Sequence, residues 1–237
     1  MTEVVELRQY TLRPGRRDEL VELFERELVE PQEAVGMRLL GQFHDLDDAD
    51  RFVWLRSFPD LAARATALAA FYEGPVWAAH RNAANETMVD SDDVLLLRPV
   101  GGGFDLDPAT RPTPGTPAPA SLVTVTLYHL PDGTEDEFAT FFADEVEPVL
   151  AKAGAPPVAR LRTEPAENGY PALPVRTGEN VFAWIAVFGT ADELGEHVRT
   201  LGTAQSWTHD VRPALTSRLR RPPEQLQLRP TPRSLLR

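Results

Sequence analysis

Residues 51–58 read RFVWLRSF, and residues 181–188 read VFAWIAVF. Both runs are rich in aromatic and aliphatic residues and have the length of a strand, each with tryptophan in fourth place. The likeness extends outward from them. RQYTL at 8–12 matches TLYHL at 126–130, LVEP ending at Pro31 matches EVEP ending at Pro148, and LLLRP at 95–99 matches LQLRP at 226–230. From Trp54 to Trp77 is 23 residues, and from Trp184 to Trp207 is 23 again. A repeat of over 100 residues is too long for a solenoid unit and reads as a duplicated domain.

Between the copies lies GGGFDLDPATRPTPGTPAPA, residues 101–120, a Gly-, Pro- and Ala-rich connector without apolar periodicity. Half one is then residues 1–100 and a second, diverged half is residues 121–237. Within half one a strand near 3–12 precedes a helix carrying Leu20, Leu23, Phe24 and Leu28 at helical spacing. Strands near 37–44 and 51–58 flank the acidic turn DLDDAD, and Asp60 is placed to cap LAARATALAAFY. The Gly74-Pro75 break starts another helical piece, and VLLLRPV closes the half as a strand. Half two repeats the order with a longer hairpin loop at 164–180. A β-α-β-β-α-β order is ferredoxin-like, an antiparallel sheet with helices on one face. The expected fold is α+β: duplicated ferredoxin-like βαββαβ halves whose sheets face each other in a pseudo-dimeric α+β barrel.

At this point the chain resembles the NIPSNAP family of the dimeric α+β barrel superfamily, as two tandem copies. The residues that carry the resemblance are ELRQYTLRPG at 6–15, FVWLRSF at 52–58, FYEGPVWAAHRNAANETM at 71–88 and DSDDVLLLRP at 90–99. The resemblance implies the barrel fold and a cavity between its sheets, but no catalytic motif. The wider superfamily includes cofactor-free monooxygenases, polyketide cyclases, lactone isomerases and haem-binding enzymes, a fold-level analogy only.

Composition limits the function classes. A formal net charge of −12 argues against an electrostatic nucleic-acid or anionic-membrane binder. No apolar run approaches the roughly 20 residues needed to cross a bilayer, and the N-terminus lacks a signal-like segment, so a cytoplasmic location is expected. With no cysteine there is no disulfide, thiolate nucleophile or Cys-based metal site. Dinucleotide, Walker and nucleophile-elbow motifs are absent.

Comparing the halves separates scaffold from candidate chemistry. Tyr10, Trp54 and Trp77 have counterparts in Tyr128, Trp184 and Trp207, and read first as packing residues, secondly as an aromatic ligand wall. The charges are not kept: Glu6 and Arg8 correspond to Thr124 and Thr126, and Arg56 to Ala186. By strand parity Glu6, Arg8 and Tyr10 share one face, as do Phe52, Trp54 and Arg56, and the two arginines converge if their strands are neighbours. If that face lines the barrel, Arg8 and Arg56 anchor a substrate anion, with Phe52, Trp54, Trp77, Tyr128 and Trp184 as walls. Glu6, Tyr10 and His44 are then the acid/base candidates, His44 because it ends a strand at a barrel mouth. The alternative for the charged residues is a structural ion network. Of the other histidines, His80 reads as structural, and His209 lacks partners at metal-ligand spacing.

These readings describe a small-molecule-binding barrel protein, a cofactor-independent enzyme of isomerase/cyclase or monooxygenase type. Its substrate would be a partly aromatic or polyketide-like metabolite of bacterial secondary metabolism. No cofactor and no metal are expected; haem is left open, although no histidine is singled out as its ligand. The partner expected is a small-molecule ligand, with the chain a monomeric pseudo-dimer or a homodimer. The alternative is a non-catalytic ligand-binding or protein-interaction protein, in which Glu6, Arg8 and Arg56 pair with one another and leave no room beside them.

Overall fold

A computed structural model describes residues 3–237. Half one runs β1 (Val4–Leu12), α1 (Arg17–Leu23), a π-helical turn (Phe24–Leu28), α2 (Val29–Ala34), β2 (Arg38–Asp45), β3 (Arg51–Phe58), α3 (Leu61–Tyr72), α4 (Pro75–Thr87) and β4 (Met88–Pro99). Half two repeats it. The order is β5 (Leu122–His129), α5 (Glu135–Phe141), a π-helical turn (Phe142–Val146), α6 (Glu147–Lys152), β6 (Ala159–Thr163), β7 (Val181–Phe188), α7 (Ala191–Thr203), a π-helical segment (Ser206–Val211), α8 (Arg212–Thr216) and β8 (Glu224–Pro230).

The eight strands form one closed antiparallel barrel in the order β1-β3-β2-β8-β5-β7-β6-β4. Each half contributes four strands in the same internal order, and the halves join edge to edge at β2–β8 and β4–β6. This is the pseudo-dimeric α+β barrel, and closure leaves neither sheet with a free edge.

Alternation along each strand divides the apolar residues into separate cores. Val5, Leu7, Val53, Leu55, Val123, Val125, Ala183 and Ile185 point inward and pack with Phe43, Leu95 and Leu228. The resemblance implied a cavity here, but a ring of eight strands is just wide enough for side chains to fill. The opposite strand faces meet the helices. In half one Tyr10, Phe52, Trp54 and Phe58 pack with Leu20, Phe24, Leu28, Leu68 and Phe71. In half two Tyr128, Phe182, Trp184 and Phe188 pack with Phe138, Phe142, Leu150 and Leu215. The two π-helical turns that follow α1 and α5 correspond between halves, and each aims a phenylalanine at a tryptophan. Phe24 lies 5.0 Å from Trp54 and Phe142 lies 6.2 Å from Trp184, centroid to centroid.

The connector is not a free tether. Its Phe104 is buried in the barrel core beside Leu236 from the C-terminal segment. Arg111 donates to the Leu39 and Arg233 carbonyls at 2.7 and 2.8 Å, tying the connector to both ends of the chain's fold.

Candidate functional site

Strand register builds the same frame twice. In half one Glu6 lies opposite Arg56, Arg8 opposite Trp54 and Tyr10 opposite Phe52. In half two Thr124 lies opposite Ala186, Thr126 opposite Trp184 and Tyr128 opposite Phe182. These residues face the helices. Glu6, Arg8 and Arg56 therefore do not line the barrel, the condition on which their substrate-anchoring reading rested, because the other strand parity supplies the apolar set that fills the interior. The ion-network alternative is the one their contacts match.

The half-one charges form a closed network. Glu6 Oε2 accepts from Arg8 Nη1 at 2.8 Å and from Arg56 Nε at 2.7 Å, while Oε1 accepts from Arg64 Nε at 2.6 Å. Arg64 comes from α3, whose first turn is fixed by the Asp60 carboxylate accepting from the Ala63 N–H at 2.8 Å. Arg56 also donates to Gln32 Oε1 at 3.0 Å. All four ionic side chains are buried. The guanidiniums of Arg8 and Arg56 lie 5.4 and 4.9 Å from the Trp54 ring, favourable cation–π positions. Burial alone would raise the Glu6 pKa, but three guanidiniums outweigh it and hold the carboxyl far below the usual carboxylate range. Glu6 is thus an anion clamp, not the general base expected of it.

Beside this network, and walled by aromatics, is a pocket of about 350 Å³ lined by Tyr10, Tyr72, Trp77, Ser91, Tyr170 and Leu173. Arg8 Nε donates to the Tyr10 hydroxyl at 3.0 Å. Burial raises the Tyr10 pKa despite Arg8, so its phenol keeps its proton. Tyr170 and Leu173 belong to the 164–180 loop of half two. Asn168 Oδ1 anchors that loop by accepting from Arg64 Nη1 at 2.8 Å and from the Tyr170 N–H at 3.1 Å. Tyr170 then stacks on Tyr72 with centroids 6.5 Å apart.

Half two has no counterpart to the network. Beyond the three known replacements, the equal tryptophan spacings align Arg64 with Leu194 and Ala67 with His197. Beside Thr126, in the place of Arg8, half two has a pocket of about 710 Å³ lined by Thr126, Tyr128, Trp184, His197, Trp207 and Arg221 among others. Trp184 Nε1 donates to the Tyr128 hydroxyl at 3.2 Å, and burial pushes the Tyr128 phenol up to about 12. Its hydroxyl accepts from Trp184 and keeps its own proton to donate into the pocket. His197 Nδ1 is 3.0 Å from the Ala153 carbonyl. A carbonyl only accepts, so Nδ1 carries the proton and Nε2 keeps a basic lone pair.

Of the expected site residues, Tyr10 and Trp77 line the smaller pocket and Tyr128 and Trp184 the larger. Phe52 and Trp54 are buried in the helix-facing core. His44 lines neither pocket; it faces Asp18 of α1 at 3.7 Å, and burial, with Arg17 nearby, lowers its pKa. It therefore stands apart from the acid/base chemistry expected of it. His197 and Arg64 were missing from the candidates. Among the described residues, no three His, Asp or Glu side chains cluster as a metal site requires.

A model of the NIPSNAP family matches residues 5–101. No protein of curated function matches the chain. Among solved structures, a proposed monooxygenase from Fusobacterium nucleatum superposes with a TM-score of 0.63 at 10% identity, over 97% of this chain and 92% of that one. An anthrone oxidase-like protein superposes with a TM-score of 0.62 at 12% identity, over 98% of this chain and 92% of that one. A NIPSNAP-like domain protein from Burkholderia xenovorans is 31% identical over 45% of this chain and 93% of its own, with a TM-score of 0.41. At their low identities the first two establish the fold of the whole chain as theirs.

Proposed function

The chain belongs to the NIPSNAP family through residues 5–101, and from that premise we propose that it is a small-molecule-binding barrel protein acting as a cofactor-independent enzyme on a partly aromatic, polyketide-like metabolite. One observation carries the reading: the half-two pocket is lined by Thr126, which stands in the place of Arg8, together with two tryptophans, a tyrosine and a histidine. A concave volume of about 710 Å³ that combines aromatic and leucine walls with polar groups, Arg212, Arg220 and Arg221 among them, suits a small-molecule site.

The polar groups suit proton removal from carbon conjugated with a carbonyl, directly or through an aromatic ring. His197 Nε2 takes the C–H proton, and the Tyr128 O–H donates to the carbonyl oxygen as enolate charge builds there. Returning the proton at another carbon completes an isomerisation or sets up a cyclisation. Giving the electrons of the carbanion to dioxygen instead would make it a monooxygenase: anthrone and O₂ yield anthraquinone and water in balance. The two proposed routes share the first step, and the likeness to an anthrone oxidase-like protein makes anthrone the natural probe.

Deuterium exchange into the anthrone methylene, followed by NMR under nitrogen, tests this step. Wild type is expected to accelerate exchange, and His197→Gln to lower that acceleration by about a hundredfold. Exchange at the buffer rate in wild type would overturn the proposal.

A further inference from the structure

Half one holds more positive charge than its own side chains neutralise. Among the described residues, Glu6 is the one carboxylate hydrogen-bonded to Arg8, Arg56 or Arg64, so three guanidiniums share a single negative charge. The Nη2 atoms of Arg56 and Arg64, on two fully buried side chains, have no hydrogen-bond partner among the described residues. Excess buried charge is costly unless something compensates it.

The 350 Å³ pocket adjoins this excess. Arg8 Nε donates to Tyr10, and Arg8 Nη2 comes within 3.5 Å of the Ser91 carbonyl; both Tyr10 and Ser91 line the pocket. The Arg56 guanidinium lies 5.9 Å from the ring of Tyr72, another wall. Because the Tyr10 oxygen accepts from Arg8, its hydrogen is left for an occupant, and the guanidinium polarises that O–H. The acidic residues that adjoin Tyr72 and Ser91 in sequence, Glu73, Asp90 and Asp92, are exposed to solvent and so weakly felt inside. Tyr72, Trp77 and Tyr170 supply flat apolar surface around the polar end.

We propose that the half-one pocket is a second binding site, selective for a planar aromatic anion such as an aryl carboxylate, whose charge is met by the Arg8-polarised Tyr10 hydroxyl. The duplicated halves have thereby diverged into two sites of different charge preference. This assignment stands apart from the chemistry proposed for half two and does not depend on it.

Calorimetric titration of the full chain with naphthoate, and with uncharged naphthalenemethanol, tests it. In wild type naphthoate is expected to bind at least tenfold more tightly than the alcohol. Tyr10→Phe keeps the ring and removes the donor, and should weaken naphthoate about tenfold while leaving the alcohol unchanged. Tyr170→Ala, at the pocket's outer wall, should weaken both. Thr126→Phe, which obstructs only the half-two pocket, should leave naphthoate binding intact. The proposal is overturned by absence of naphthoate binding to wild type, by equal affinity for acid and alcohol, or by loss of binding in Thr126→Phe but not in Tyr10→Phe.

Discussion

Trp54 and Trp184 occupy the same place in the duplicated frame, yet Trp54 lies against two guanidiniums while Trp184 donates to the Tyr128 hydroxyl at the wall of an open pocket. The difference follows from what stands opposite and beside each indole. Arg8 and Arg56 surround the first; Thr126 and Ala186 surround the second.

Glu6 is central to half one, and its loss leaves three buried guanidiniums without a counter-charge. Glu6→Gln should cost on the order of 3–5 kcal/mol in urea unfolding, whereas the matching Thr124→Val should cost under about 1 kcal/mol. Equal effects from the two substitutions would show that the network does not hold the half together.

The same residue makes stability acid-sensitive. Its folded pKa is depressed, so its contribution is fully present above the ordinary glutamate range near 4.5 and declines as pH falls below that value, where the unfolded chain takes up a proton first. Urea midpoints measured at neutral and acidic pH should fall more steeply for wild type than for Glu6→Gln. Parallel falls would contradict the assignment.

Tyr128 acts at the other end of the scale. Its phenol is raised from 10.0 to about 12, so the folded chain holds the proton longer than the unfolded chain. Stability attributable to Tyr128 is intact below pH 10 and should drop by about 2–3 kcal/mol between pH 10 and 12. Tyr128→Phe removes that part of the alkaline decline, and a phenolate absorbance titration of the variant should lose the component near 12 that wild type shows.

The 164–180 loop is held across the halves by Arg64 and Asn168. Asn168→Ala removes both anchoring acceptor bonds, and amide hydrogen exchange should quicken in that loop while the barrel strands keep their protection. Unchanged exchange in the loop would mean that its other ties, the Arg176 N–H to the Val94 carbonyl at 2.9 Å and the stacking of Tyr170 on Tyr72, suffice to hold it.

Phe104 offers a test of the connector. Because it fills the barrel core, Phe104→Ala should lower global stability by about 3–5 kcal/mol, far more than a residue in a tether would.

The duplication was legible because aromatic residues recur at equal spacing, and strand order followed from periodicity. The orientation of the sheet was not. Glu6, Arg8 and Tyr10 were rightly placed on one face, and an ion network was one of its two readings, but nothing in the pattern showed that the face is buried under helices. It lies there because Arg64, from a helix that reads as an ordinary apolar and polar mixture, completes its pairing. Arg64 and His197 were nonetheless within reach, since the tryptophan spacing that revealed the repeat also aligns them with Leu194 and Ala67. Tyr170 was not, because its place over the other half depends on contacts far apart in the chain. Phe104 was hidden likewise by the connector's composition.

The central claim is that half two holds a small-molecule pocket beside Thr126, which stands where half one holds Arg8. Its most direct test is a titration of anthrone into wild type and Thr126→Phe, followed by tryptophan fluorescence, with thermal melts confirming that the variant folds. Saturable quenching in wild type that disappears in Thr126→Phe is the predicted result. Equal saturable quenching in both proteins, or none in wild type, would contradict it.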